Sequence, residues 1–307
     1  MCVQDRSRSE HQELIIGLVN NMPAKAALVT ERQFESLLNA ASRKGNAKVR
    51  FVPLPPCPLP TSDREFRYNE IVHGSRLDGM IVTGAEPRSA DIVDEPIWPA
   101  LARLADWAHH NTISTIWSCL AAHAAAYYLD GLARKRLPEK LSGVFECEKA
   151  SGHDLMWDAP PRWHVPHSRY NDLNEESLLR SGYRVLSRIR NVGADIAVKQ
   201  SGSLFVLMQG HPEYGADSLG REYCRDIKRF LVGERDTYPE MPKHYFDEGT
   251  VAALRVLQER ALQTGDPKLL KHLSKIVPTL PVPSWAGYAV GFYARWLSYL
   301  AQRKSAN

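Results

Sequence analysis

A single cysteine stands where the sequence predicts that a buried strand meets a helix. Residues 114–118 form a short apolar run that is typical of a strand, and the alanine-rich segment after Cys119 is typical of a helix. At a helix N-terminus the backbone N–H groups and the helix dipole favour a thiolate and can hold an oxyanion. Cys119 is therefore a candidate nucleophile. The alternative is a small buried apolar side chain, the commoner role of a free cysteine.

A histidine and a carboxylate follow a second predicted strand. Residues 203–208 are mostly apolar, and His211 and Glu213 come shortly after them in the sequence Gly-His-Pro-Glu. An imidazole that is oriented by a carboxylate can serve as general base for a thiol nucleophile. Pro212 stiffens the loop that carries both side chains. The alternative for His211 is a purely structural histidine.

The elements that must position these residues alternate between strand and helix. Four apolar runs in the first half are predicted strands: 13–20, 49–54, 77–85 and 114–118. Between them, Thr30 and Gln33 have the spacing of a capping box, which predicts that a helix begins at Thr30. The alternation predicts an α/β fold with a mainly parallel sheet and helices on both faces, in a flavodoxin-like arrangement.

The turn after Thr83 is a second candidate component of the site. Ligands of such sheets bind beyond the carboxyl ends of the strands, so this turn and Cys119 are expected at one edge. Backbone N–H groups near Ala85 and Glu86 can then join that of Leu120 as an oxyanion hole. The alternative is a simple turn that ends a strand.

Composition and charge exclude several classes of protein. The 307 residues are 44% hydrophobic and carry a formal net charge of +4, as in an ordinary globular chain. The basic residues are scattered, so nucleic-acid binding is not expected, whereas a coenzyme A ester is compatible. The five cysteines lack CxxC pairs, which argues against disulfides or zinc and for the reducing cytoplasm. No apolar run is long enough for a membrane span.

Several separate motifs, in the expected order, resemble the homoserine O-acyltransferases of methionine biosynthesis, of the O-succinyltransferase type. They are residues 20–23 with 30–34, 78–85, Cys119 with Tyr127 and Tyr128, 138–146, 165–169, 211–214 with 222–226, Tyr245 with Phe246, and Trp285 with 292–299. The fold of that family is similar to the class I glutamine amidotransferases, which the resemblance therefore implies here.

The resemblance also implies roles for individual residues. Cys119 matches the nucleophile, His211 the general base and Glu213 the acid that orients it. Three further positions match residues that contact the amino-acid substrate: Lys140, Ser168 and Arg225. The implied reaction is a ping-pong acyl transfer from acyl-CoA through Cys119 to the hydroxyl of L-homoserine, with acyl-CoA as co-substrate and no metal or other cofactor. A cytoplasmic homodimer is expected.

Two departures from the family pattern concern the pocket. After Cys119 the family commonly has Trp-Gly-Ala-Gln, whereas this chain has Leu-Ala-Ala-His, so His123 either faces the site or packs inside the helix layer. Arg88 stands at a position that the family associates with acyl-donor choice, where glycine resembles succinyl users and glutamate resembles acetyl users. A guanidinium there favours a succinyl over an acetyl donor. The alternative is that Arg88 fills the pocket or binds a phosphate of CoA.

The remaining expectations concern domains and competing functions. Residues 1–240 are expected to form the glutamine amidotransferase-like acyltransferase domain, and 241–307 a helical extension packed on it. Within the extension, 248–273 has the pattern of a helical pair that caps the site, joins a dimer or packs on its own domain. Three other functions stay open: a serine O-acyltransferase, a glutaminase-type hydrolase and a non-catalytic binding module.

Overall fold

One large sheet organises the chain. The computed structural model describes residues 13–58, 74, 76–276 and 283–306. Its strands are β1 Leu14–Val19, β2 Val49–Leu54, β3 Gly79–Val82, β4 Ser114–Ser118, β5 Lys135–Lys149, β6 Arg162–Asp172, β7 Arg184–Ile189, β8 Gly193–Ser201 and β9 Ser203–Met208. The sheet order of these described strands is β2-β1-β3-β4-β9-β8-β7-β5-β6.

The predicted parallel arrangement is confirmed for one side of the sheet. Strands β2, β1, β3, β4 and β9 are parallel neighbours. Strands β3, β4 and β9 are buried along their whole length, as expected where helices cover both faces. From β9 outward, β8, β7, β5 and β6 continue the sheet with antiparallel pairing. The sheet is therefore mixed.

Helices cover both faces of the parallel side. They are α1 Ala24–Gly45, α2 Trp98–Asn111, α3 Leu120–Asp130, α4 Glu175–Arg180, α5 Ser218–Leu231, α6 Glu248–Thr264, α7 Leu270–Ile276 and α8 Ala286–Ala306. One buried cluster joins α1 and α8 to one face of the sheet, and another joins α2 and α3 to the opposite face. Within the described residues, no helix is both long and apolar enough to cross a bilayer.

The predicted start of the first helix at Thr30 is wrong. Helix α1 begins at Ala24, directly after Pro23, and Thr30 lies inside it. Alanine, lysine and leucine between these positions are strong helix formers, so the chain becomes helical before the capping-box residues are reached. Pro23 also has a φ of −54°, close to the helical value, at the point of entry.

The C-terminal region packs on its own chain in two places. The predicted helical pair is confirmed as α6 and α7, and Leu254, Leu257 and Leu273 pack against Tyr223 and Ile227 of α5. Helix α8 lies on the other side of the molecule against α1 and the sheet. The domain boundary at residue 240 stays a prediction.

Helix α8 makes unusually close contact with β3. A Cβ atom placed on Gly79 would lie 2.7 Å from Leu300 and 2.9 Å from the ring of Trp296. The indole Nε1 of Trp296 donates a hydrogen bond of 3.0 Å to the Ser114 hydroxyl. The last helix is therefore part of the core beneath the parallel strands.

Replacing Trp296 with Ala should lower the free energy of unfolding by about 3 to 5 kcal/mol, because it opens a cavity and removes the partner of Ser114. Urea denaturation followed by circular dichroism measures this change. Ser298→Ala, an exposed position of the same helix, is the control and should leave the stability nearly unchanged. Equal stability of the two variants would contradict a core role for α8.

Candidate active site

The carboxyl ends of the parallel strands hold the residues that the sequence singled out. Asn21 follows β1 and Thr83 follows β3, and the two are joined by two hydrogen bonds of 2.8 Å, one from the Asn21 backbone and one from its side chain. Cys119 follows β4 directly. The loop with His211 follows β9, the neighbour of β4. The cleft at this edge is the candidate active site.

Cys119 occupies a strained turn between strand and helix. Its backbone has φ 53° and ψ −116°, outside the helical and extended regions, although it is not a glycine. Its N–H donates to the Met208 carbonyl of β9 over 2.8 Å, and its own carbonyl accepts the N–H groups of Ala122 and His123. We call residues 118–120 the cysteine turn. This conformation places the half-buried Cys119 side chain on the cleft, as in other strand-to-helix nucleophile turns.

The imidazole of His211 is held by three contacts. Its Nδ1 lies 2.8 Å from Glu213 Oε1, its backbone N–H donates to the Pro166 carbonyl, and its ring stacks on Tyr214 with centroids 4.4 Å apart. Because the carboxylate can only accept, it fixes the proton on Nδ1 when the ring is neutral. The second nitrogen, Nε2, then carries no proton and is available to accept one.

The interaction between His211 and Cys119 changes the acidity of the imidazole. Burial disfavours the charged ring, but Glu213 and the Cys119 thiol together raise the pKa of His211 well above its usual value. Nε2 itself makes no hydrogen bond of regular geometry within the described residues. Contacts of this kind are often long in an unliganded site and tighten when the substrate binds. The structure therefore brings the predicted nucleophile, base and acid together.

The turn after Thr83 lies directly against the cysteine turn. A Cβ atom added to Gly84 would lie 2.8 Å from the Leu120 nitrogen and 3.1 Å from the Ser118 carbonyl oxygen. Leu120 is the first residue of α3, so its N–H has no acceptor within the helix. Ala85, Glu86 and Leu120 all line the cleft with Cys119. The three predicted oxyanion residues are therefore neighbours.

Replacing Gly84 with Ala should slow acyl-adduct formation on Cys119 by at least about tenfold, because the new methyl group displaces the turn from Leu120. Mass spectrometry after mixing with an acyl-CoA ester gives the rate. Gly152→Ala is the matched control, since a Cβ atom there meets nothing within 4 Å. An unchanged rate in Gly84→Ala would show that the close approach of Gly84 to Leu120 does not affect the acylation of Cys119.

A cluster of charged and polar side chains also reaches the cleft. Lys140 of β5 lies 3.2 Å from a Glu222 oxygen and 3.4 Å from an Asp226 oxygen. Ser168 of β6 donates a hydrogen bond to Glu222, and Arg225 donates to Asp226 over 3.0 Å. We call these five residues the polar cluster. The structure thus places Lys140, Ser168 and Arg225, which come from three separate elements, in one group.

Each charge in the polar cluster depends on the others. Burial opposes the charged ammonium, but Glu222 and Asp226 raise the pKa of Lys140. Burial likewise opposes the Glu222 carboxylate, but Lys140, Ser168 and Tyr214 lower its pKa. Near neutral pH the wall therefore carries both signs of charge. Such a surface suits a zwitterion, which brings one group of each sign.

Tyr214 connects the polar cluster to the base. Its ring stacks on His211, and its hydroxyl donates to Glu222 over 2.5 Å. Its backbone carbonyl accepts a hydrogen bond of 2.8 Å from the indole of Trp285, just before α8. Sequence reasoning assigned no role to Tyr214, Glu222 or Asp226. A signal for the last two existed, because they lie on one helical face with Arg225 near the motif that carries His211.

His123 both packs in the helix layer and lines the cleft. It is 2% exposed, and its Nε2 lies 3.3 Å from Gln209 Oε1. That oxygen also accepts the backbone N–H of Leu173, while the amide nitrogen of Gln209 donates to the Ala194 carbonyl, which fixes the orientation of the amide. His123 therefore carries its proton on Nε2. Burial lowers its pKa to about 3, so the ring is neutral at neutral pH.

The low pKa of His123 makes stability depend on pH. Because the folded pKa of about 3 lies below the ordinary 6.5, the neutral ring contributes stability above pH 6.5 that is lost as the pH falls toward 3. Between pH 7 and pH 5 this contribution should fall by about 2 kcal/mol. His123→Gln should therefore show a smaller loss of stability over that interval in urea denaturation. His164→Gln, an exposed control, should behave as the parent chain, and identical pH dependence in all three proteins would disprove the assignment.

Arg88 lies outside the group of residues that line the cleft. Its side chain is exposed, and its backbone N–H donates to both oxygens of Glu95 over 3.0 and 3.1 Å. Glu95 in turn forms a buried ion pair with Arg134 at 2.6 Å. The segment that carries Arg88 is therefore fixed by this ion pair. Its influence on the acyl donor stays a prediction.

Three buried residues have the donor atoms for a metal ion. The ligand atoms of Cys147, His167 and Asp195 lie within 4.8 Å of one another. Asp195 already accepts the Ser187 hydroxyl over 2.8 Å and lies 3.4 Å from His167 Nε2. Burial raises the pKa of Cys147 strongly, which keeps the thiol protonated. In the described structure these side chains form a network of contacts around the Asp195 carboxylate.

Two solved structures share the architecture of this chain. A glutamine amidotransferase from Thermotoga maritima has a TM-score of 0.50 at 14% identity, over 95% of this chain and 99% of its own. The glutaminase domain of a Trypanosoma brucei CTPS with bound acivicin has a TM-score of 0.51 at 12% identity, over 65% of this chain and 86% of that domain. The glutamine amidotransferase-like fold implied by the resemblance is thereby confirmed.

Sequence comparison narrows the assignment further. The family model for homoserine O-succinyltransferase matches residues 1–306. Proteins named homoserine O-succinyltransferase from Rhodopseudomonas palustris and Methylorubrum extorquens are 48% and 42% identical, over 84% and 95% of this chain and 79% and 88% of their own lengths. A further one, from Bradyrhizobium japonicum, is 44% identical over 97% of this chain and 93% of its own. The chain belongs to the homoserine O-succinyltransferase family.

Proposed function

We propose that this protein transfers a succinyl group from succinyl-CoA to the hydroxyl of L-homoserine by way of a thioester on Cys119. The observation that carries the proposal is the strained cysteine turn beside the buried pair of His211 and Glu213. The family supplies the substrate class, because its members are named for homoserine and the succinyl group. This activity would place the enzyme in methionine biosynthesis in the cytoplasm. The free thiols of Cys119, Cys147 and Cys224 fit a reducing compartment.

In the first half-reaction His211 accepts the proton of the Cys119 thiol. The thiolate attacks the thioester carbonyl, and the N–H groups of Leu120 and of the turn at Ala85 and Glu86 bind the oxyanion that forms. The carbon–sulfur bond to CoA then breaks, and the departing thiolate takes the proton from His211. A succinyl thioester on Cys119 and free CoA result.

In the second half-reaction the amino acid binds against the polar cluster. Arg225 and Lys140 face its carboxylate, and the carboxylate of Glu222 faces its ammonium group. His211 takes the proton of the hydroxyl, whose oxygen attacks the thioester carbonyl. The bond to Cys119 breaks, the sulfur regains a proton from His211, and the O-succinyl amino acid leaves.

Intact-mass spectrometry of the protein mixed with succinyl-CoA tests the nucleophile and the donor together. We expect one succinyl adduct, a much slower reaction with acetyl-CoA, and no adduct in Cys119→Ala. Cys224→Ala is the matched control, since Cys224 is also a half-buried free thiol but does not line the cleft, and it should form the adduct. An adduct that survives in Cys119→Ala would refute the mechanism.

The acceptor is tested by discharge of the isolated adduct. L-Homoserine should remove the succinyl group faster than L-serine by about 10- to 200-fold, the usual effect of one methylene in a binding pocket. The reverse order would make the protein a serine O-acyltransferase. Release of ammonia from glutamine, with no adduct from any acyl-CoA, would instead indicate a glutaminase-type hydrolase. The absence of both activities would indicate a binding module.

A further inference from the structure

Tyr214 is a half-buried phenol that lines the cleft, and the proposed mechanism gives it no role. It follows Glu213 in the loop after β9, so it lies beside the residue that orients the base. One end of its side chain contacts His211 and the other contacts Glu222. These two partners serve different steps of the proposed reaction, since His211 moves protons and Glu222 faces the amino acid.

The ring of Tyr214 covers one face of the imidazole of His211. The two rings are stacked, with centroids 4.4 Å apart and an interplanar angle of 20°. Glu213 bonds the imidazole only at Nδ1, and a hydrogen bond at one edge does not prevent the ring from tilting. A flat neighbour in contact with the face of the imidazole limits that tilt. The stacked phenol therefore helps to keep Nε2 directed toward Cys119.

The hydroxyl of Tyr214 bonds one oxygen of the Glu222 carboxylate. It donates to Oε1 over 2.5 Å, whereas Ser168 and Lys140 contact the other oxygen, Oε2. Burial and the nearby carboxylates of Glu222 and Glu213 raise the pKa of Tyr214 well above its usual value. The phenol therefore keeps its proton near neutral pH and remains a donor. Donors on both of its oxygens fix the direction of the carboxylate.

The backbone of Tyr214 is held independently of these two contacts. Its N–H donates to the His211 carbonyl over 3.1 Å, and its own carbonyl accepts a hydrogen bond of 2.8 Å from the indole of Trp285. Trp285 is 4% exposed and packs with Val144 and Leu219. The phenol thus extends from a fixed backbone, and a substitution of its side chain leaves these backbone contacts available.

We propose that Tyr214 is a positioning residue with two separable roles. Its ring holds the His211 imidazole for proton transfer, and its hydroxyl orients the Glu222 carboxylate toward the ammonium group of the amino acid. This inference rests on the proposed function. His211 serves both half-reactions, but Glu222 serves only the second. Loss of the ring and loss of the hydroxyl therefore have different effects.

Tyr214→Phe removes the hydroxyl and keeps the ring. The homoserine concentration that half-saturates discharge of the succinyl adduct should rise at least about tenfold, the usual effect of losing a hydrogen bond to a charged group. The maximal discharge rate and the rate of adduct formation from succinyl-CoA should each fall by less than about threefold, since the stacked ring remains. Mass spectrometry of the adduct gives all three quantities.

Tyr245→Phe is the matched control for the hydroxyl. Tyr245 is also half-buried, and its hydroxyl donates to the Ala216 carbonyl over 2.7 Å, but it does not line the cleft. This variant should show the homoserine dependence of the parent protein. An unchanged homoserine dependence in Tyr214→Phe would overturn the proposal. Equal losses in both half-reactions of Tyr214→Phe would indicate a purely structural role and would overturn it as well.

Tyr214→Leu removes the ring together with the hydroxyl. Adduct formation, which does not involve the amino acid, should slow at least about tenfold, because the base is less well oriented. Phe at this position should restore most of that rate. If circular dichroism shows that Tyr214→Leu does not fold, Tyr214→Met, with a flexible apolar chain and no ring, takes its place. Equal rates of adduct formation with and without the ring would contradict its proposed role.

A double-mutant cycle with Glu222→Gln tests whether the hydroxyl acts through Glu222. If it does, Tyr214→Phe should change the half-saturating homoserine concentration by less than about twofold in the Glu222→Gln protein, because the oriented charge is already absent. Independent effects of the two substitutions would mean that the phenol binds the amino acid directly, which would reject the positioning role. A parent protein that forms no adduct with succinyl-CoA would contradict the proposed function itself, so the two failures are distinguishable.

Discussion

The backbone conformation at Cys119 is the constraint on which the site depends. A non-glycine residue in this region costs about 1 to 3 kcal/mol and persists only where the surroundings over-determine it. Here the N–H of Cys119 is held by β9, its carbonyl caps the first turn of α3, and Gly84 closes the third side. The strain keeps the thiol directed at the cleft without any movement of the chain. The strain at this turn is offset by the buried packing of the strands on either side of β4.

The same arrangement explains why base and nucleophile meet. Strand β9 supplies the carbonyl that holds Cys119 and, three residues later, His211. Because β4 and β9 are parallel neighbours, their carboxyl ends lie at the same edge, and the two loops that follow them must face each other. The orienting acid comes with the same loop. The geometry of the proposed catalytic residues is thus a result of strand order, and no long-range loop is needed to assemble it.

The strands were predictable where both faces are buried, because β1, β3 and β9 are nearly continuous apolar runs. Strand β5 was not, since it is polar, contains Pro138 and changes register between Arg136 and Leu141. The start of α1 was missed because a local capping pattern competes with strong helix formers upstream. Cys119, His211 and Glu213 were recognisable because each follows a strand within a few residues.

Residues whose roles depend on contacts with other elements were harder to predict from the sequence. The prediction for Arg88 relied on the charge of its side chain. In the structure the backbone N–H of Arg88 donates to Glu95, and its side chain is exposed. Tyr214 and Glu222 gain their roles only from contacts that join α5, β6 and the loop after β9. Sequence spacing shows which residues share one face of a helix, but it does not show which other element packs against that face.

The charged side chains of the cleft favour a ligand that carries both signs of charge. The polar cluster pairs Lys140 and Arg225 with Glu222 and Asp226, so it is balanced before any ligand arrives and suits a zwitterion that exchanges one set of pairs for another.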